Sequence, residues 1–146
     1  MALETNLRGR SAVITGASEG IGRATAKLLA SEGANLTLTA RNVDRLAELK
    51  TELESAHGVT VNFHSLDLTK SEDQAKLSSA GSSADILINS AGAIPKGRID
   101  EIDDEEWRRH WDLKVFSTIN LCRDIYAAMK AQMLSMLAKV KIRSSS

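Results

Sequence analysis

Short apolar runs alternate with longer amphipathic stretches over the first two-thirds of the chain. Residues 12–14 are apolar and lead into a glycine-rich stretch, after which apolar residues recur at helical spacing as far as Gly33. Residues 35–40 alternate leucine with threonine, which is typical of a strand, and Asn42 is placed to cap a following helix that ends at Gly58. This order predicts a strand–loop–helix unit that occurs twice.

Two further strands follow in the same rhythm. Val59, Val61 and Phe63 predict a third strand, and residues 85–89 predict a fourth that is covered on both faces. Between them, residues 69–72 have the spacing of a capping box that opens a shorter polar helix. Strands that are each followed by a helix indicate a parallel sheet with right-handed crossovers. We therefore predict an α/β fold with a parallel sheet of about four strands.

The last third of the chain follows a helical pattern, without a glycine or proline beyond residue 97. Asp103 and Glu106 have the spacing of a helix cap and its third residue. The pattern predicts a long amphipathic helix that extends to about Gln132. We expect the apolar stripe of this helix to be its buried side. That stripe comprises Trp107, Trp111, Val115, Phe116, Ile119, Cys122, Tyr126 and Met129.

Composition and charge exclude several classes of function. The 146 residues carry 19 lysines and arginines against 19 aspartates and glutamates, so no cationic field is available for a nucleic-acid backbone. No apolar run approaches the ~20 residues of a membrane span or resembles a secretory signal, and Cys122 has no thiol partner. We predict a cytoplasmic chain with one domain at residues 1–132 and a basic, frayed tail at residues 133–146.

A glycine-rich loop at residues 15–22 joins the first strand to the first helix. Its glycines let the backbone approach a ligand closely, and the helix amino terminus offers free amides and a partial positive charge to an anion. The alternative is that the glycines only form a tight turn. The flanking strand and helix favour anion binding and predict a pyrophosphate site at this loop.

Three motifs in order carry a resemblance to a known family. Thr15–Gly22 has the pattern Thr-Gly-x-x-x-Gly-x-Gly, Asp67-Leu68 follows the third strand, and Asn89-Ser90-Ala91-Gly92 follows the fourth. The sequence resembles the short-chain dehydrogenase/reductase family over about residues 7–130. That resemblance implies a Rossmann-like, doubly wound parallel sheet, here incomplete, with about four strands in the order 3-2-1-4 and helices on both faces. It also implies NAD(P)-dependent hydride transfer between an alcohol and a carbonyl compound. The residues that it implies for cofactor binding are Gly16, Ser18, Gly20, Ile21 and Gly22 at the pyrophosphate, Asp67 and Leu68 at the adenine, and Asn89, Ala91 and Gly92 towards the ribose and nicotinamide.

The end of the second strand indicates which dinucleotide is preferred. An NAD-selective fold of this kind has a carboxylate about twenty residues beyond the glycine loop, where this chain has Ala40 followed by Arg41. A guanidinium suits the 2′-phosphate of NADP(H), so we predict NADP(H) in preference to NAD(H). The alternative is that Arg41 is an exposed side chain paired with Asp44.

The catalytic residues of the family are not matched. The family uses a serine and a Tyr-x-x-x-Lys pair beyond a fifth strand, whereas Tyr126 and Lys130 have the right spacing on the wrong helix, and we interpret Tyr126 as a core residue. Asp112 stands where the family has an asparagine. The chain therefore resembles the amino-terminal half of such an enzyme. We predict that this half is inactive alone. The alternative is a noncatalytic interaction protein whose basic carboxyl-terminal helix binds a partner or an anionic surface.

Two other clusters give weaker signals. His57, His64 and His110 lack metal-ligand spacing, so we assign no metal. Residues 100–106 include six carboxylates, which could attract a cation but are also favoured at a helix amino terminus, the interpretation we adopt.

A four-stranded sheet would leave the fourth strand as an unpaired edge, so we expect self-association through that edge or the long helix.

Overall fold

The computed structural model describes residues 5–143, with side chains as far as residue 137. Its sheet is fully parallel and has the strand order β3-β2-β1-β4, as predicted. The strands are β1 (Ser11–Thr15), β2 (Asn35–Ala40), β3 (Val61–Ser65) and β4 (Ile86–Ile88). The helices are α1 (Gly20–Ser31), α2 (Val43–His57), α3 (Ser71–Ala80), α4 (Asp104–Trp111) and α5 (Ser117–Arg143), and a π-helical segment (Asp112–Phe116) joins the last two.

The sequence places a separate hydrophobic layer on each face of the sheet. In β1, Ala12 and Ile14 point to one layer and Val13 points to the other, because side chains alternate along a strand. The first layer packs α1 and α2 against the sheet, with Leu46 and Leu49 fully buried. The second layer packs α3 and α5 against the opposite face. This doubly wound arrangement buries β1 completely and directs all four strand ends to one edge.

The ends of α2 form as the sequence predicts. The side-chain oxygen of Asn42 accepts a hydrogen bond from the backbone amide of Arg45 at 2.9 Å, which satisfies one of the free amides of the first turn. Gly58 ends the helix in the left-handed region at φ 65°. The two caps confirm the predicted limits of α2 and fix its amino terminus beside the carboxyl end of β2.

The predicted capping box at residues 69–72 is wrong. The first turn of α3 has Lys70 at the cap position and no side-chain cap hydrogen bond. Thr69 lies one residue before the cap position, and its hydroxyl donates to the carboxylate of Asp67 in the preceding loop at 2.8 Å.

The fourth strand is shorter and less covered than predicted. Ile86–Ile88 pair with β1 on one side, and all three residues are half-buried rather than covered on both faces. In the part of the chain that the structure describes, β4 is an edge of the sheet. An edge strand has one neighbour fewer to exclude solvent from its side chains.

The long helix begins as predicted but extends further. The carboxylate of Asp103 accepts a hydrogen bond from the amide of Glu106 at 2.8 Å, which confirms the cap. The helical path then continues through the π segment and ends at Arg143 rather than near Gln132. The predicted frayed serines at residues 144–146 lie outside the described residues.

The predicted apolar stripe of the long helix is not the buried one. Leu121 and Ile125 are buried against the sheet, whereas the stripe residues Trp111, Phe116, Ile119, Cys122 and Tyr126 are exposed. The interpretation of Tyr126 as a core residue is therefore wrong. The helix carries apolar residues on two sides, and only the fit to the sheet selects one of them.

Candidate functional site

A crevice of about 630 Å³ runs along the carboxyl edge of the sheet, a volume typical of ligand-binding clefts. Segments that follow all four strands contribute to it, together with part of α4. Nine of the eleven predicted cofactor-binding residues line it: Gly16, Ser18, Gly20, Ile21, Arg41, Asp67, Leu68, Ala91 and Gly92. Gly22 and Asn89 do not.

The buried hydroxyl of Thr15 joins the first motif to the third. Its oxygen accepts hydrogen bonds from the backbone amides of Ser90 at 3.0 Å and Ala91 at 2.9 Å. The backbone amide of Ala17 is held in turn by the carbonyl oxygen of Thr39 at 3.1 Å. These bonds place the glycine loop between the ends of β2 and β4, where the strand order reverses and open α/β sheets bind ligands.

Two glycines of the loop occupy positions without room for a side chain. A Cβ atom on Gly22 would lie 2.3 Å from the carbonyl oxygen of Gly16, so Gly22 allows α1 to pack directly on the loop. Gly16 has φ +67°, and a Cβ atom there would lie 2.9 Å from the backbone of Ala91. The loop is therefore a bare backbone cradle at the amino terminus of α1, a geometry that fits a diphosphate.

The loop after β3 is held by two carboxylates. Burial alone would raise the pKa of Asp67, yet the hydroxyl and amide of Thr69, together with the charges of Lys70 and Arg41, hold that pKa below its ordinary value. The amide of Asp67 donates to the carboxylate of Asp73 at 3.0 Å. This fixed loop presents Leu66 and Leu68 to the crevice, and both are buried apolar side chains able to flank a flat ring.

Positive charge gathers where β2 meets α2. Arg41 lines the crevice as predicted, and two neighbours that the sequence analysis missed, Asn42 and Arg45, line it as well. Within residues 5–137, Arg41 forms no ion pair with Asp44; its charge acts on Asp67 instead. Arg45 forms an ion pair with Glu19 of the glycine loop. Spacing could have pointed to Arg45, since it lies in the first turn of a helix that starts at the crevice.

The opposite wall of the crevice comes from α4 and the π segment. Arg109, His110 and Leu113 line it, and none of them was predicted as a site residue. They reach the crevice because the long helix crosses the carboxyl edge of the sheet before α5 packs on its face. No local motif marks such residues, since their position depends on the packing of the whole helix.

Besides Gly22, four residues considered from the sequence lie outside the crevice. The side-chain amide of Asn89 donates to the sulfur of Cys122 at 3.3 Å and faces α5. Asp112 borders a separate groove together with Trp107 and Phe116. Tyr126 is 65% exposed and does not line the crevice, nor does Lys130.

The described part of the chain contains neither a metal-binding cluster nor a helix that could span a membrane. Across the described part of the chain, no three histidine, cysteine or acidic side chains converge in a way that could hold a metal ion. No helix within residues 5–143 combines the length and hydropathy that crossing a bilayer requires. The acidic cluster at residues 100–106 supplies the cap and first turn of α4, in keeping with its interpretation as a helix start.

The sheet order and the loop at the point of strand reversal define a protein of the Rossmann-like α/β class. A sequence profile described as short chain dehydrogenase matches residues 10–140. The chain therefore belongs to the short-chain dehydrogenase family of oxidoreductases.

Individual relatives agree with that assignment. The uncharacterized oxidoreductase YvaG of Bacillus subtilis is 32% identical over 122 residues, which are 83% of this chain and 46% of the relative. The 2,3-dihydro-2,3-dihydroxybenzoate dehydrogenase of the same organism is 32% identical over 82% of this chain and 47% of its own length. The chain thus spans about half the length of the curated relatives it matches.

Solved structures show the same fold. L-sorbose reductase from Gluconobacter frateurii, complexed with NADPH and L-sorbose, superposes with a TM-score of 0.84 at 37% identity over 89% of this chain and 51% of that one. An alcohol dehydrogenase from the archaeon Thermococcus sibiricus, complexed with 5-hydroxy-NADP, gives a TM-score of 0.79 at 33% identity over 85% of this chain and 55% of that one.

Proposed function

We propose that this chain binds NADP(H) in the crevice at the carboxyl edge of its sheet. The observation that carries the proposal is the convergence of the glycine loop, the Asp67 loop and the Ser90–Gly92 segment on one cavity. Such a dinucleotide supplies hydride-transfer chemistry, and the protein supplies binding and orientation. The NADPH and NADP derivatives found in related structures support the choice of ligand class.

Each segment has a proposed contact. The backbone amides of the glycine loop and the amino terminus of α1 would hold the pyrophosphate, with Ser18 and Ile21 at the edge of the cradle. Asp67 and Leu68 would bound the adenine. Ala91 and Gly92 would allow close approach on the nicotinamide side, whereas Asn89 would act by positioning this segment, because it faces α5.

We expect Arg41 to recognise the 2′-phosphate that distinguishes NADP(H) from NAD(H). Arg41 directly follows β2, where Ala40 and Arg41 occupy the place of the carboxylate that would accept ribose hydroxyls, and its guanidinium can form charge-assisted hydrogen bonds with a phosphate. Such bonds are each worth about 1.5–3 kcal/mol, so discrimination of roughly tenfold or more is expected.

Calorimetric titration with 2′,5′-ADP and with 5′-AMP tests this prediction. The chain should bind 2′,5′-ADP about tenfold more tightly, and Arg41→Gln should remove the difference while leaving 5′-AMP nearly unchanged. Arg123→Gln is the matched control, since Arg123 is an exposed arginine on α5 outside the crevice. Equal affinities of the unaltered chain for the two nucleotides would contradict the role of Arg41.

The activity of the whole protein is proposed as the reaction of its family, NADP(H)-dependent interconversion of an alcohol and a ketone or aldehyde. The 146-residue chain alone should bind NADPH without turning it over, because no tyrosine lines the crevice within the described residues. Incubation of the chain with NADPH and a panel of ketones, followed at the nicotinamide absorbance, should show no oxidation. Sustained oxidation would overturn the proposed inactivity while supporting the proposed ligand.

We further propose that two copies associate through the exposed apolar side of the long helix, or that this side binds a partner as an interaction module. The members of this surface, Trp111, Phe116, Ile119, Tyr126, Met133, Leu134, Met136 and Leu137, are all about half exposed or more. A cluster of exposed apolar side chains is usual at surfaces where proteins contact one another.

Light scattering tests the association. The chain should form dimers or larger species, and Tyr126→Lys should shift it towards monomer, because a buried lysine lacks a counter-charge. Leu28→Lys is the control, an exposed apolar residue on α1 away from the long helix. A monodisperse monomer with cooperative melting would contradict self-association.

A further inference from the structure

Two carboxylates, those of Glu19 and Asp67, lie beside the positive charges of Arg45 and Arg41 at the end of the crevice where β2 meets α2. Arg45 Nη1 forms an ion pair with Oε2 of Glu19, and Arg41 lies close enough to Asp67 to lower the pKa of that carboxyl group. All four residues line the same cavity. A phosphate arriving here therefore meets two arginines, each of which already has an anionic neighbour.

The ion pair connects two elements across the mouth of the crevice. Glu19 precedes α1 in the glycine loop, and Arg45 lies in the first turn of α2. The Asn42 side chain accepts a hydrogen bond from the Arg45 backbone amide, which fixes the backbone position from which the Arg45 side chain extends. The side chain of Arg45 is half exposed and that of Glu19 is more so, and ion pairs this exposed are weak. The contact can therefore open at little cost.

We propose that Arg45 exchanges partners: it leaves Glu19 and joins Arg41 around the 2′-phosphate of the bound nucleotide. Phosphate oxygens match the planar guanidinium fork at least as well as a carboxylate and carry more charge. In this arrangement Glu19 competes with the ligand for Arg45 and lowers the affinity for 2′-phosphorylated nucleotides. The inference rests on the proposed NADP(H) site and adds a second arginine and an acidic competitor to it.

Three variants separate the roles of the two side chains. Arg45→Gln should weaken 2′,5′-ADP binding about tenfold and change 5′-AMP binding less than twofold. Glu19→Gln should strengthen 2′,5′-ADP binding by roughly three- to tenfold, since it frees Arg45 to bind the phosphate. Arg45→Lys keeps the charge but loses the fork, so it should fall between the unaltered chain and Arg45→Gln.

The double variant tests the exchange itself. If Glu19 acts by holding Arg45, Glu19→Gln in the Arg45→Gln background should gain less than twofold for 2′,5′-ADP. An undiminished gain would mean that Glu19 acts on the phosphate directly, and would overturn the exchange. Glu48→Gln and Arg123→Gln are the matched controls, because both side chains are exposed and paired outside the crevice.

The outcomes distinguish this inference from the function on which it rests. Unchanged 2′,5′-ADP affinity in Arg45→Gln, with a loss in Arg41→Gln, would overturn the exchange and leave the NADP(H) proposal standing. Equal or absent binding of 2′,5′-ADP and 5′-AMP by the unaltered chain would overturn both. Thermal melting of each variant identifies any loss caused by unfolding, and the intermediate affinity expected for Arg45→Lys provides an independent check.

Discussion

Gly22→Ala is expected to destabilise the chain by about 3 kcal/mol and to abolish nucleotide binding. The added Cβ would lie 2.3 Å from the carbonyl oxygen of Gly16 and 3.2 Å from the Cα of Ala17, which are backbone atoms that cannot rotate away. The sign is opposite to intrinsic propensity, because alanine is favoured over glycine within a helix by about 1 kcal/mol. Chemical denaturation and titration with NADPH would measure both effects.

Two glycines that line the crevice provide the controls. A Cβ on Gly92 would lie 3.9 Å from the side chain of Lys114 in ordinary contact, so Gly92→Ala should change the free energy of unfolding by less than about 0.5 kcal/mol. Gly20 has free space but φ +55°, so Gly20→Ala should cost about 1–2 kcal/mol. If Gly22→Ala and Gly92→Ala had the same free energy of unfolding, the close packing of α1 on the loop described here would be contradicted.

Leu121→Ala is expected to cost about 2–5 kcal/mol of unfolding free energy, the usual range for a leucine deleted from a core. Leu121 is 1% exposed and packs in the layer that holds α5 on the sheet, together with Val13, Leu77 and Ile125. Its loss leaves a cavity that rigid neighbours on both sides cannot fill. Urea denaturation followed by circular dichroism would measure the change.

Leu28→Ala is the matched control for this substitution. Leu28 is a leucine in the middle of α1 with 62% of its surface exposed, so its truncation should change stability by no more than about 0.5 kcal/mol. Similar losses in the two variants would show that the assignment of the buried side of α5 is wrong.

The sequence predicts most of the fold because its local signals agree with one another. Glycines at the ends of α1 and α2, the cap at Asn42 and the alternation in β2 all mark the same strand–helix units. Parallel strands joined by helices permit few arrangements, and the family resemblance selects the order β3-β2-β1-β4 among them. The glycine loop and its neighbours fall into the crevice for the same reason, since each comes directly after a strand.

What the sequence does not predict depends on competition between distant groups. Thr69 could have capped α3, but the helix starts one residue later with Lys70 at the cap, and the Thr69 hydroxyl donates to the Asp67 carboxylate. Either apolar side of the long helix could have faced the sheet, and the fit of Leu121 and Ile125 into the second layer decides between them. Arg109 reaches the crevice because of where the whole of the long helix packs. The periodicity and spacing of the sequence do not show which of these competing contacts will form.

The central claim is that the loop at residues 15–22 receives the diphosphate of NADP(H), and a crystal structure of the chain soaked in NADPH tests it most directly. The account predicts the diphosphate against the loop backbone at the start of α1, with the 2′-phosphate beside Arg41. A nucleotide bound elsewhere, or a crevice without nucleotide at saturating NADPH, would contradict it.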